Sequence, residues 1–548
     1  MKQLLLAALA AAPLLAAAAP APQPIPDPAR LTADVKVLAS DAFEGRGPAT
    51  TGEDKTIAYL IQQMEAAGLE PGGEIKDGKR AWTQDVPLAR FEIRGPLRLD
   101  LTAGGRADPL AQGQQIAIRA AQTNVDRVAI KDAPLVFVGY GVKAPERGWD
   151  DFKGVDLKGK IAVVLINDPD FETGQGDFGG KAMTYYGRWT YKFEEAARQG
   201  AAAAIIVHDS FPAAYPWGVV QSSWAGPRLE QDTPGDHMDQ SQAIGWMQLD
   251  KAKALFASAG KDFDALAAAA TKQGFKAVPL GVKASVSWDN AIKRQASKNV
   301  VGILPGTGKP DEVVLYSAHW DHLGRCDAVK GDDICNGAVD NASGIGGLVA
   351  LAEAHAKAGP ARRSIVFLAV TAEESGLLGS KFYAENPVYP LARTVGGVNM
   401  DSLNVIGKTR DFVLVGAGKS ELEDLVKPIV AAEGRVIVPE ERPEAGGYYR
   451  SDHFSFAKLG VPMLYGESGD DLVNGGKEAG EKAARDYTQN RYHKPQDEYD
   501  PSWDWSGAVS DLNVYYGLGR QLADGSAWPS WYPTAEFRAI RDKSRAGQ

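Results

Sequence analysis

Val313-Val314-Leu315-Tyr316-Ser317-Ala318-His319-Trp320-Asp321 is the stretch that decides the reading of this chain. An apolar, β-branched run ends directly in a histidine and an aspartate. The pattern recurs: Ser364–Val370 runs into Thr371-Ala372-Glu373-Glu374, and Val395–Met400 runs into Asp401. Between the first two runs, Ile345–Lys357 has helical spacing and is opened by the turn Asp340-Asn341-Ala342-Ser343-Gly344. Val300–Leu304 supplies one more apolar run. Strands alternating with helices predict an α/β fold with a mixed, largely parallel sheet flanked by helices. In such open sheets ligands bind just beyond the carboxyl ends of the strands. Three strands therefore bring His319, the Glu373-Glu374 pair and Asp401 to one edge.

Histidine and carboxylates without cysteine suit zinc or a similar divalent ion. The set holds more carboxylates than a single closed site needs, which favours two ions sharing a bridging carboxylate. Each residue also has a plainer reading. Asp340 could cap a helix N-terminus, Asp401 could cap a turn, and Glu373-Glu374 could be a solvated pair. Asp321 could be a surface charge, although His-x-Asp lets a carboxylate hold the second imidazole nitrogen. His493 lies in the loop-like Tyr492-His493-Lys494-Pro495 and is weak evidence by itself. His208, His237, His322 and His355 find no place in this set, and His453 reads as structural.

The rest of the chain sets bounds. At 548 residues it exceeds a single core, so two units or one unit with a large insertion are expected. A net charge of −10 and the lack of any basic run argue against a nucleic-acid partner. Lys2 followed by the apolar Leu4–Ala19 reads as a secretory signal, cleaved near Ala19 or Ala21. No lipid anchor is indicated, so a periplasmic or secreted protein without a membrane anchor is expected. Cys326 and Cys335 suit that compartment as a disulfide; the rival reading, a metal-binding pair, has the wrong spacing for a zinc knuckle. Short strands at Leu135–Val138, Ile161–Ile166 and Ala203–Val207, with a helix at Tyr191–Gln199, indicate a small α/β unit over about 131–280.

Taken together, the motifs resemble the co-catalytic zinc aminopeptidase and glutamate carboxypeptidase family, the clan MH metallopeptidases. The resemblance rests on His319-Trp320-Asp321, Asp340-Asn341-Ala342-Ser343-Gly344, Glu373-Glu374, Met400-Asp401 and Tyr492-His493, in that order. It implies a zinc exopeptidase (phosphorylase/hydrolase-like) fold and two divalent ions, taken as zinc. Asp340 would bridge them, His319 and Asp401 would complete one site, and Glu374 and His493 the other. Glu373 would be the general base, Asp321 would orient His319, and Tyr448 would stabilise the oxyanion. The last assignment rests on Gly447-Tyr448-Tyr449-Arg450-Ser451-Asp452-His453; some relatives carry cysteines where Gly446 and Arg450 stand here.

The 131–280 unit resembles a protease-associated domain inserted in the peptidase, through Gly139-Tyr140-Gly141, Asp156–Ile161 and Glu195–Ala201. Its Thr184–Trp189 stretch is either part of the substrate rim or a packed aromatic loop. The expected division is a signal peptide over 1–21 and a first peptidase segment over 30–130. The insertion over 131–280, the main peptidase domain over 285–525 and a tail over 526–548 follow. Peptides are the implied substrates and aminopeptidase the leading activity. A glutamate carboxypeptidase is the alternative, and a receptor-like binding module or a glutaminyl cyclase a weaker one.

Overall fold

The computed structural model describes residues 27–120, 124–224, 226–235 and 240–546. The expected signal segment and His237 lie outside these residues. Among the described residues no helix is long and apolar enough to cross a membrane.

The strands around the motif run Val436–Val438, Asp411–Leu414, Met463–Ser468, Thr394–Asn399, Lys309–His319, Arg363–Val370 and Val278–Leu304 across one sheet. The four from Met463–Ser468 to Arg363–Val370 are parallel; Asp411–Leu414 and Val278–Leu304 join them antiparallel. Every residue of Arg363–Val370 and of Thr394–Asn399 is buried. These strands are covered on both faces, which is why they read as continuous apolar runs instead of alternating ones. Leu348, Leu351, Leu512 and Tyr515 of the helices Gly344–Lys357 and Ser506–Asp524 cover one face. Tyr383 and Phe456 cover the other.

Helix Ser506–Asp524 comes very close to the sheet at Gly519. A Cβ there would lie 1.7 Å from the buried Tyr316 hydroxyl, which donates to Tyr515 O (2.8 Å). Gly519→Ala gains about 1 kcal/mol of helix propensity but forces this contact apart. We expect a net loss of about 1–2 kcal/mol, read as a lowered thermal midpoint. An unchanged midpoint would show that Tyr316 can move aside.

Two long strands, Thr83–Ala103 and Val278–Leu304, pair antiparallel from Val300 opposite Thr83 to Lys283 opposite Thr102. The register shifts between Ser287 and Asp289. At one end Val300–Leu304 joins the sheet of the motif strands; at the other, Val278–Asp289 pairs with Arg127–Phe137. Beyond it the parallel strands Ile161–Leu165, Ala203–His208 and Ala243–Gln248 follow, and Ile116–Ala120 closes the edge antiparallel. Thus two α/β units share one continuous sheet. The core of the second unit also takes Leu99, Leu101, Leu110, Ile116 and Ile118, all within the segment expected to belong to the peptidase. The stretch expected to be a tail is also packed: Trp531 is buried and its indole donates to Gly460 O (2.8 Å). Cys326 and Cys335 form a disulfide.

Candidate metal centre

The turn after Gly337 is built to place Asp340. Asp497 accepts the backbone N–H groups of Val339 (3.1 Å) and Asp340 (3.0 Å). Asn341 then stitches this turn to the Asp401 loop: its amide donates to Met400 O (3.0 Å), and its Oδ1 accepts from Gly344 N–H (2.9 Å) and Ser402 N–H (3.1 Å). A Cβ at Gly344 would sit 2.2 Å from that oxygen, which accounts for the glycine in the motif. Asp401 Oδ2 accepts from the Ser451 hydroxyl (2.7 Å), itself held by Asn399 Nδ2 (2.8 Å).

These supports bring the five expected ligands together. Asp340 Oδ1 lies 3.3 Å from His319 Nε2, and Asp340 Oδ2 lies 3.3 Å from His493 Nε2. His319 Nε2 is also 3.3 Å from Asp401 Oδ1, and His493 Nε2 is 3.1 Å from Glu374 Oε2. Each oxygen of Asp340 faces a different histidine, as a bridging carboxylate requires. Charge-assisted hydrogen bonds are usually shorter, about 2.7–2.9 Å. Two ligands about 2.0–2.1 Å from an ion at the tetrahedral angle stand about 3.3–3.4 Å apart. The spacing of the His319, Asp340 and Asp401 donors therefore fits an edge of a coordination shell better than a hydrogen bond.

His322, set aside on sequence grounds, is buried beside Glu374 with Nδ1 2.6 Å from Glu374 Oε1. It falls within metal-binding reach of Asp340 and Glu374. At 2.6 Å, however, it is placed as a hydrogen-bond partner of Glu374, whereas His493 has ligand-like spacing. Asp321 supports His319 through its backbone carbonyl, which accepts from Nδ1 at 3.2 Å; its carboxylate is 3.8 Å away. That carboxylate accepts the Glu373 backbone N–H (3.0 Å) instead and so places the expected base.

The charges point the same way. Burial disfavours the His493 imidazolium, yet its contacts with Asp340 and Glu374 carry it up to about 10. Burial also opposes the His319 imidazolium, but the charges of Asp401 and Glu373 hold it well above the usual histidine range. Burial pushes Glu373 well above the ordinary carboxylate range and Asp321 up to about 8. So dense a cluster of carboxylates calls for positive charge, which protons on the two histidines supply when ions do not.

Arg46 is the buried cation behind the cluster. Its guanidinium donates to Trp320 O (2.9 Å), Leu38 O (2.7 Å), Asn336 O (2.6 Å) and Gly337 O (2.7 Å). It ties the His319 loop to the Asp340 turn. Burial lowers it only to about 10, so it stays charged. Arg46→Met would strand several buried carbonyls, and we expect a loss of about 3–5 kcal/mol in urea unfolding. A change below about 1 kcal/mol would mean that water replaces the guanidinium.

No hydrogen bond joins Tyr448 to the cluster among the described residues. Its hydroxyl is buried with no hydrogen-bond partner, its ring packs edge-on against His453 (4.6 Å between centroids), and Lys419 Nζ lies 5.2 Å from its ring centre. Tyr465, the third residue of strand Met463–Ser468 and stacked on His453, lies within the field of Asp401 and Glu373, as does Tyr492, which stacks on His493. Of the remaining histidines, His355 is buried against Tyr316 and Tyr516, and His208 packs among Tyr215, Trp217 and Trp246. Neither approaches the ligands.

Comparison with known proteins gives a match over residues 299–517 to Peptidase family M28. Aminopeptidase NAALADL1 of Mus musculus is 35% identical over 129 residues, covering 22% of this chain and 16% of its own. Aminopeptidase YwaD of Bacillus subtilis (strain 168) is 26% identical over 348 residues, covering 63% of this chain and 55% of its own. The chain thus spans well under two thirds of the length of either relative. Among solved structures, the aminopeptidase from Aneurinibacillus sp. strain AM-1 aligns over 91% of this chain and 94% of its own, with 20% identity and a TM-score of 0.48. The whole run of expected ligands from His319 to His493 falls inside the match, so residues 299–517 are similar to the domain of Peptidase family M28.

Proposed function

We propose that this chain is a secreted, zinc-dependent aminopeptidase that removes residues from the N-termini of peptides. The observation that carries the reading is the Asp340 carboxylate, with one oxygen 3.3 Å from His319 and the other 3.3 Å from His493. His319, Asp340 and Asp401 would hold one zinc ion, and Asp340, Glu374 and His493 a second. Bound there, the pair supplies Lewis-acid polarisation of a carbonyl and a water activated near neutral pH.

The protein's own residues do the rest. Glu373 takes a proton from the attacking water and passes it to the leaving amine. Asp321 fixes Glu373 through its backbone N–H and His319 through its own carbonyl, so one loop sets base and ligand together. Ser451 and His322 hold the outer oxygens of Asp401 and Glu374. Tyr448 remains our candidate for the donor to the developing oxyanion, because its buried hydroxyl has no hydrogen-bond partner of its own among the described residues. The relatives named above are aminopeptidases, which supports the leading activity over the carboxypeptidase alternative. We further propose that the second unit, including the outer part of strand Thr83–Ala103, forms one wall of the substrate mouth.

A panel of peptides with free or blocked ends tests the reading. With zinc present, a free N-terminus should be required for cleavage. Hydrolysis of N-acetylated peptides that depends on a free C-terminus would replace it with the carboxypeptidase.

A further inference from the structure

The turn that carries Glu373 and Glu374 has an unfavourable backbone. Ala372 (φ 52°) and Leu377 (φ 61°) lie in the left-handed region although neither is glycine, one on each side of the glutamate pair. Such residues persist only where their surroundings over-determine them. The turn closes on itself through Leu377 N–H to Glu373 O (2.9 Å), Leu378 N–H to Ala372 O (3.0 Å) and Gly379 N–H to Thr371 O (2.9 Å). These bonds tie its two ends to each other. They do not fix those ends to the rest of the molecule.

Two buried amide side chains from outside the turn anchor them. Asn299 belongs to the long strand Val278–Leu304. Its Oδ1 accepts the Thr371 N–H (3.0 Å) and its Nδ2 donates to Gly379 O (3.0 Å), so one side chain holds both ends. Gln84, on the paired strand Thr83–Ala103, accepts from the same Nδ2 (3.1 Å) and itself donates to Asn386 O (2.7 Å). A Cβ at Gly379 would lie 2.6 Å from Asn299 Oδ1, so the amide sits directly against the chain. Gln231 reaches the turn from the 131–280 segment. Its strand, Arg228–Gln231, pairs with Leu88–Phe91, and Gln231 Nε2 donates to Leu378 O (3.1 Å). Leu229 of the same strand packs on the cluster of Val86, Leu88, Ala372 and Leu378. An amide presents an acceptor and a donor side by side, which is what the Thr371 N–H and the Gly379 carbonyl require. Either group left unmet in the interior would be costly.

We propose that Asn299 and Gln231 are positioning residues that set the place of Glu373 and Glu374 through the backbone of their turn. The proposal rests on the peptidase reading above, in which Glu373 is the base and Glu374 a ligand. Both side chains spring from the anchored turn, so a shift of the turn moves base and ligand together. A displacement of about 1 Å at a reacting group can cost about 10²-fold in rate. The strand Arg228–Gln231 thereby gives the inserted segment a part in the chemistry: it braces the turn that carries the base.

The test uses the full zinc-loaded chain, one peptide with a free N-terminus, and the variants Asn299→Leu and Gln231→Met, each close in shape to the amide it replaces. With zinc saturating, Asn299→Leu should lower kcat about 10²-fold and Gln231→Met about 3–10-fold, with KM within about threefold of the parent. Chelator competition should show zinc bound about tenfold more weakly in Asn299→Leu, and more weakly to a lesser degree in Gln231→Met, because Glu374 moves with the turn. In a Glu373→Gln background the kcat effect of Gln231→Met should shrink to about twofold or less, since the group being positioned is gone. Gln231→Met removes the one bond to the Leu378 carbonyl, so it decides the matter even where Asn299→Leu fails to fold. A lowered thermal midpoint with kcat per folded molecule unchanged would overturn the proposal, as would an equal loss with and without Glu373. If the parent cuts no peptide, the peptidase reading fails instead, and zinc affinity alone decides: equal affinity in parent and variants would overturn the positioning roles.

Discussion

Glu373→Gln should keep its full complement of zinc and lose about 10²–10⁴-fold in kcat. The amide is nearly isosteric with the carboxylate and leaves the Asp321 contact untouched, because that bond is to the Glu373 backbone N–H. What it removes is an atom that can accept a proton from water and give it to an amine. Zinc content by atomic absorption and initial rates on one peptide are sufficient measurements. Turnover within a few fold of the parent would show that another group carries the proton. Zinc loss in parallel would show that Glu373 binds metal and is not the base.

Asp340→Ala should have the opposite signature: zinc is lost first and activity follows. Asp340 is the one carboxylate that faces both His319 and His493, so its removal opens both half-sites together. Its backbone is held independently by Asp497 and its turn by Asn341, so the fold should survive the change. Folded protein binding less than one zinc per chain is the expected result; two tightly bound zinc ions would refute the bridging assignment. The same geometry governs pH. His493 and His319 carry protons when no ion is present, and each must be shed before a ligand bond forms. Zinc affinity of the parent should therefore rise with pH from 6 to 8, by about tenfold per unit for each proton displaced. A chelator competition flat across that range would contradict it.

Most of this centre was legible because polar residues stop apolar runs at the same relative height. Lys309–His319, Arg363–Val370 and Thr394–Asn399 are parallel neighbours, so residues ending each run must meet. Tyr465 falls outside that rule: it stands level with Asn399 but three more strand residues follow it in Met463–Ser468. His322 escaped notice for another reason. It lies beyond the strand, where the loop after Asp321 sets its direction, and a pattern of alternation carries no information there. Asp321 was expected to hold His319 through its carboxylate; the contact is through its backbone carbonyl, a choice set by loop torsions that residue types do not encode. The aromatic stretch Tyr185-Tyr186 could have been rim or packing; both tyrosines are buried.

The boundary between the units was harder to read. Gly95-Pro96 interrupts the strand formers of Thr83–Ala103 and reads as a turn, yet the strand runs on through it, with the slip in its partner's register opposite. Only the pairing with Val278–Leu304 shows that both strands serve two cores.

That shared pair of strands has a mechanical consequence. A domain carried on a loose linker can swing, and its swing can open and shut a cleft. Here the connection is a hydrogen-bonded ribbon, reinforced by the contacts of Met183 and Tyr185 with the opposite side. Rotation would have to bend two strands together or unzip their ladder, and the slipped register at Ser287–Asp289 is the softest place for either. The second unit is therefore held at a nearly fixed angle to the first, and the substrate mouth proposed above would keep nearly the same width throughout turnover.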